Sequence, residues 1–64
     1  NDIEFVVRTL SELACLRTQQ ALTVTMEAHR RGLSLVCTTH RERAELYREQ
    51  FASKGLTVTI EPEC

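Results

Sequence analysis

The sequence predicts an α+β fold. Three stretches carry the apolar spacing of a helix face, two shorter ones alternate apolar and polar residues, and they run in the order helix, helix, strand, helix, strand. With 64 residues there is room for one small domain, 1–64, and its core must be thin.

The first helix spans Ile3 to Ala14. Ile3, Val6, Val7, Leu10, Leu13 and Ala14 recur at i, i+3, i+4 and i+7, with Glu4, Arg8 and Glu12 on the other face. The second opens at Thr18, a good N-cap, and runs to Arg31, where Gly32 supplies the left-handed cap. Arg30 and Arg31 sit at the negative end of its dipole. Ala21, Val24, Thr25 and Ala28 form one stripe and Leu22, Met26 and His29 another, so this helix is expected to pack on two sides. Leu33 to Thr38 alternates as a largely buried strand. Thr39-x-x-Glu42 reads as a capping box for a third helix that buries Ala44, Tyr47 and Phe51 and ends at Gly55. Leu56 to Glu61 alternates as a second strand, stopped by Pro62. The last strand–helix–strand unit predicts a right-handed crossover with parallel strands. Two parallel strands alone make a poor sheet, and the sequence supplies no third.

Hydrophobic residues make up 42% and charged residues 27%, a globular balance. Eight Lys and Arg against nine Asp and Glu give a net charge of −1, which argues against a nucleic-acid partner or an anionic membrane surface. No apolar run is long enough for a membrane span. Cys15, Cys37 and Cys64 are odd in number and widely spaced. They read as free thiols of a reducing compartment, with Cys37 in the core and Cys64 on an exposed tail.

Cys37-x-x-His40 is half of a metal site, but structural zinc needs four ligands, so no metal is expected there. Arg41, Glu42, Arg43, Glu45, Arg48 and Glu49 form a mixed-charge helix surface, either solvated or a docking face. His29 flanks the apolar side of the second helix. It reads either as a part-buried histidine bonded to a backbone carbonyl, or as a neutral acceptor at the edge of a pocket.

Met26-Glu27-Ala28-His29-Arg30-Arg31-Gly32, the helix start Ile3-Glu4-Phe5-Val6-Val7-x-x-Leu10 and the ending Gly55-Leu56-Thr57-Val58-Thr59-Ile60-Glu61-Pro62 resemble the ClpS family, adaptors of the Clp protease. The ending is most like the cyanobacterial and plastid branch, and the resemblance covers essentially the whole chain. It implies three helices packed on a small three-stranded sheet. It also implies a binding function without catalysis or cofactor. The family holds proteins whose first residue is large and hydrophobic, the N-degron, and hands them to an AAA+ unfoldase of the ClpA or ClpC type. The setting it implies is the cytoplasm, or the stroma of a plastid.

A free α-amine has a pKa near 8 and is mostly ammonium at neutral pH, so it needs acceptors. His29 matches the family's helix histidine in that role. Ile3, Val6, Thr25, Ala28 and Leu56 match positions lining the side-chain pocket. Thr25 stands where most relatives carry Met, which implies a roomier base and a shift toward bulkier aromatic first residues. The family's first strand, ending in an Asn-Asp pair, has no counterpart in the gap-free register, so the domain is expected to be N-terminally truncated. That register puts Asn1 and Asp2 at the pocket rim, whereas a register with a loop deleted makes them the amine-binding pair itself. Glu42, with Glu45 beside it, matches the unfoldase-docking edge of the third helix; Tyr47 replaces a family Lys. The rival reading is a ClpS-like module that docks a partner without binding N-degrons.

Overall fold

Asp2 starts the first helix. Its backbone is extended, and its carboxylate accepts a hydrogen bond from the Phe5 N–H at 2.7 Å, satisfying one of the helix's orphan donors. In the computed structural model, which describes residues 2–62, three helices follow one another: α1 (Ile3–Ala14), α2 (Thr18–Arg31) and α3 (Arg41–Ser53). Helix α1 ends at Cys15, held in the left-handed region at φ 58°, where a side chain is strained. Thr18 is the first residue of α2 and not its cap. The cap is Arg17, whose N–H donates to Gln20 Oε1 at 3.1 Å. Gly32 closes α2 as expected, at φ 92°, its N–H donating to the Ala28 carbonyl at 2.8 Å.

Helix α3 opens at Arg41 behind His40, with no side-chain cap, so the Thr39 capping box does not form. Its end is a Schellman turn. Gly55, at φ 81°, donates to the Ala52 carbonyl at 2.9 Å, and Leu56 donates to the Phe51 carbonyl at 2.9 Å. That turn folds the chain back so that Leu56 packs against the core around Phe51.

The expected sheet is absent. Among the described residues no strand pairs, and the architecture is three helices rather than α+β. Neither Leu33–Thr38 nor Leu56–Glu61 is a strand, and there is no crossover. The reason is the missing partner: a strand is stable only when its N–H and C=O groups find a neighbour, and neither segment supplies one to the other. The alternation survives without the pairing. Leu56, Val58 and Ile60 are half-buried while Thr57 and Thr59 face solvent. In the earlier segment the faces are the reverse of those expected. Ser34 and Val36 turn inward, while Leu33, Leu35 and Cys37 are exposed, the two leucines by 75% and 74%. A one-residue slip in phase exchanges the two faces of an extended chain. The Cys37 thiol therefore lies outside the core.

The core is Leu10 of α1, Ala21 of α2 and Phe51 of α3. Val6, Val7, Leu13, Val24, Val36, Tyr47, Leu56 and Val58 pack around them, and the Tyr47 ring meets Phe51 edge-on at 6.4 Å. Helix α1 is central, touching both α2 and α3. Helix α2 packs on one side only; its second stripe, Leu22 and Met26, is 44% and 40% exposed. Thr9 and Thr25 are buried mid-helix, which is tolerable because each hydroxyl donates to the carbonyl one turn back, Phe5 at 2.8 Å and Ala21 at 2.7 Å.

The strained Cys15 gives a direct stability test. Cys15→Gly should stabilise the fold by about 1 kcal/mol by relieving the left-handed backbone, whereas Cys15→Ala should give no such gain. The midpoints of urea unfolding curves measure both.

Candidate functional site

The connection between α1 and α2 is three residues, 15–17, so α2 must return along α1 as a helical hairpin. Leu10 and Ala21 share one buried cluster and fix the level at which the helices meet. Four residues before Leu10 is Val6, and four after Ala21 is Thr25; seven before and seven after are Ile3 and Ala28. At 1.5 Å per residue these pairs lie about 6 Å and about 10 Å from the Leu10 level, at the same end of the hairpin. The start of α1 and the end of α2 thus bring Asp2, Ile3, Val6, Thr25, Ala28 and His29 toward one rim.

Their environments differ. Asp2, Ile3 and His29 are exposed, Val6 and Ala28 are half-buried, and Thr25 is buried. His29 is exposed and its side chain makes no hydrogen bond within the described chain, so the reading of a part-buried histidine bonded to a carbonyl does not hold. Asp2 already accepts one bond as the cap of α1, a role that the sequence reading passed over although Asp before an apolar-periodic run is a strong start signal. Asn1 lies outside the described residues, as does Cys64. Thr25 turns its hydroxyl to its own helix.

Leu56 stands apart from this group. It lines a hollow of about 420 Å³ with Arg48, Ala52, Gly55, Thr57 and Val58, beside the end of α3. A second hollow, about 350 Å³, lies on the outer face of α2 between Leu22, Thr23, Met26, Glu27 and Arg30. His29 lines neither.

The strongest polar cluster was not foreseen. Glu27 accepts from the Ser34 hydroxyl at 2.6 Å and from Arg31 at 3.2 Å, tying the chain beyond Gly32 back onto α2. The Glu27–Arg31 spacing is visible in the sequence, but Ser34 comes within reach only because Gly32 reverses the chain. The Ser34 hydrogen bond, first of the causes and helped by the charges of Arg31 and Arg30, holds the Glu27 carboxyl below its ordinary 4.5 against an opposing desolvation. On α3, Glu42 is exposed in the first turn, while Glu45 pairs with Arg41 at 3.2 Å beside exposed Leu46. Among the described residues no group of three or more His, Cys, Asp or Glu could hold a metal ion, so Cys37 and His40 stay without further ligands.

Polar acceptors and small apolar side chains are thus gathered at one end of a helical hairpin. The family described as "ATP-dependent Clp protease adaptor protein ClpS" matches residues 1–59, and the chain belongs to the ClpS family. It is 45% identical over 64 residues to the adapter protein ClpS of Synechococcus sp. (strain CC9902), covering 98% of this chain and 62% of the relative. The Synechococcus elongatus (strain ATCC 33912 / PCC 7942 / FACHB-805) adapter is also 45% identical, with 98% and 67% covered. A chloroplastic Clp protease adapter of Chlamydomonas reinhardtii is 38% identical over 97% of this chain and 39% of its own length. The cyanobacterial and plastid leaning of the sequence is thereby supported. The chain spans roughly two thirds or less of the length of these relatives. No solved structure matches the chain significantly. None of its described helices is long and apolar enough to cross a membrane.

A carboxyl held below its unfolded pKa contributes stability that is present above the unfolded value and lost as pH falls through the folded one. Acidification from about pH 6 to 3 should therefore weaken the fold through Glu27, and Ser34→Ala should flatten part of that loss. Thermal melts of the two proteins across this range measure it; parallel curves would show that Ser34 does not hold the carboxylate.

Proposed function

We propose that this chain is the substrate-recognition part of a ClpS adaptor. It receives proteins with a bulky hydrophobic first residue and passes them to an AAA+ unfoldase of the ClpA or ClpC type, without catalysis and without a cofactor, in the cytoplasm or a plastid stroma. The observation that supports this best is His29. It is exposed, its side chain is unbonded within the described chain, and it sits at the hairpin end that also carries Asp2 and Ile3. A neutral imidazole nitrogen and a carboxylate are the acceptors an α-ammonium requires, and each such charge-assisted bond contributes about 1.5–3 kcal/mol. Ile3, Val6, Ala28 and the methyl of Thr25 offer apolar surface for the first side chain, whose burial adds roughly 1.5–3 kcal/mol. Leu56 would join them only if the rim and the end of α3 are bridged by the bound residue. Glu42, with Glu45, is the edge offered to the unfoldase, and the names of the relatives support that delivery role.

The second reading, a module that docks a partner without holding N-degrons, draws on the hollows: neither includes His29. Calorimetry with Phe-first and Leu-first peptides separates the two. The first reading expects micromolar binding that is abolished by acetylating the peptide amine. It also expects a loss of about tenfold or more in His29→Ala, the factor one such bond implies. Binding that ignores both changes, or no peptide binding by a chain that still retains the unfoldase, would favour the second.

Thr25 sets the depth of the proposed pocket. Thr25→Met should lengthen the side chain at its base and shift preference from Trp and Phe toward Leu. Titration with a series of peptides differing only in the first residue reads this out. An unchanged order would remove Thr25 from the pocket.

A further inference from the structure

Two hydroxyls in this sequence follow an arginine by three residues: Ser11 behind Arg8, and Ser34 behind Arg31, which Arg30 precedes. Guanidinium groups at that spacing are what the acidic substrate groove of an arginine-directed protein kinase reads, because each fork pairs with a carboxylate. A kinase must also draw the hydroxyl out in non-helical backbone, and here the two sites part. Ser11 lies inside α1 with its Oγ buried. Ser34, itself half-buried and bonded to Glu27, lies beyond the left-handed Gly32 that ends α2, in backbone free of helix and strand that can swing out, between leucines 75% and 74% exposed.

We propose that Ser34 is a phosphorylation site for an arginine-directed protein kinase, and that the phosphate draws Arg31 away from Glu27. In the transfer, Ser34 Oγ attacks the γ-phosphorus of ATP and forms the new O–P bond. The bond from that phosphorus to the β–γ bridging oxygen breaks, ADP leaves, and the hydroxyl proton passes to a carboxylate base of the kinase. The unmodified hydroxyl donates to Glu27 at 2.6 Å. A phosphate in that place carries about −1.5 to −2 charge and can only accept, so it repels the carboxylate it had bonded. It also sits past the negative end of α2, which favours cations and not anions. Arg31, already 3.2 Å from the same carboxylate that Ser34 bonds, is the cation that can answer both problems, with Arg30 next to it in the final turn. The ion pair Arg31–Glu27 gives way to Arg31–phosphate, and the chain beyond Gly32 is no longer tied to Glu27.

The test incubates the protein with magnesium ATP and the catalytic subunit of a cyclic-AMP-dependent kinase, then maps the product by mass spectrometry. One phosphoryl group on Ser34 is expected, with none on Ser34→Ala and unchanged labelling of Ser11→Ala. Arg31→Ala should slow incorporation by about tenfold or more, and Arg8→Ala should leave it alone. Labelling at Ser11, or no labelling when a peptide of residues 29–36 is modified under the same conditions, would overturn the site. A phosphorus NMR titration then tests the switch. Pairing with Arg31 should hold the phosphate's second ionisation below its ordinary pKa of about 6, and phosphorylated Arg31→Ala should return to that value. Identical titrations in the two proteins would overturn the exchange of partners.

Discussion

The meeting of Leu10, Ala21 and Phe51 holds this fold together. Each helix puts one apolar side chain almost wholly out of water here, and the three share one buried cluster. Ala21 is fully buried, so its small side chain lets α2 come close to α1, and any larger group would push the helices apart. Phe51 supplies most of the apolar volume from α3, and the Schellman turn just after it carries Leu56 back onto the same cluster. A domain of this size has little core to spare, so the placement of everything at the hairpin's open end depends on this junction.

That open end is built from the least constrained parts of two helices. The first residues of α1 and the last of α2 reach beyond the core, so their side chains are exposed while the backbone stays regular. Asp2 caps α1 through one carboxylate oxygen, which accepts from Phe5, and the other is unclaimed within the described chain. Thr25 resolves a different conflict. A buried hydroxyl costs free energy unless bonded, and back-bonding to Ala21 removes that cost.

The helices were legible in the sequence because their signals are local. The 3.6-residue stripe of α1, the Gly32 stop and the Ala44–Tyr47–Phe51 spacing depend on neighbours within a turn or two, and α1 and the end of α2 fall where they were read, the cap of α2 lying one residue earlier at Arg17. The sheet was misread because alternation reports only that one face of an extended chain meets apolar atoms. It says nothing of whether a neighbouring backbone exists to accept the hydrogen bonds. The burial of Cys37 failed with it, since phase in an unpaired segment is set by single anchors. Here these are the Ser34–Glu27 bond and Val36, rather than the larger leucines. Of the candidate site, the residues on α1 and α2 were named by the family resemblance, and helical spacing with a short connection brings them to one end of the hairpin. Leu56 does not, because its position depends on how the chain leaves α3.

The two segments that alternate without pairing leave the molecule uneven in how firmly its backbone is held. Amides inside α1, α2 and α3 are closed by their own helices, whereas those near Leu35 and Thr57 face water with nothing to open first. Protons there are expected to exchange faster than those inside the helices, and unpaired donors and acceptors on an extended stretch are open to pairing with another strand. Leu33 and Leu35 add an oily margin to that stretch, so crowding this polypeptide favours strand-by-strand association from its flank.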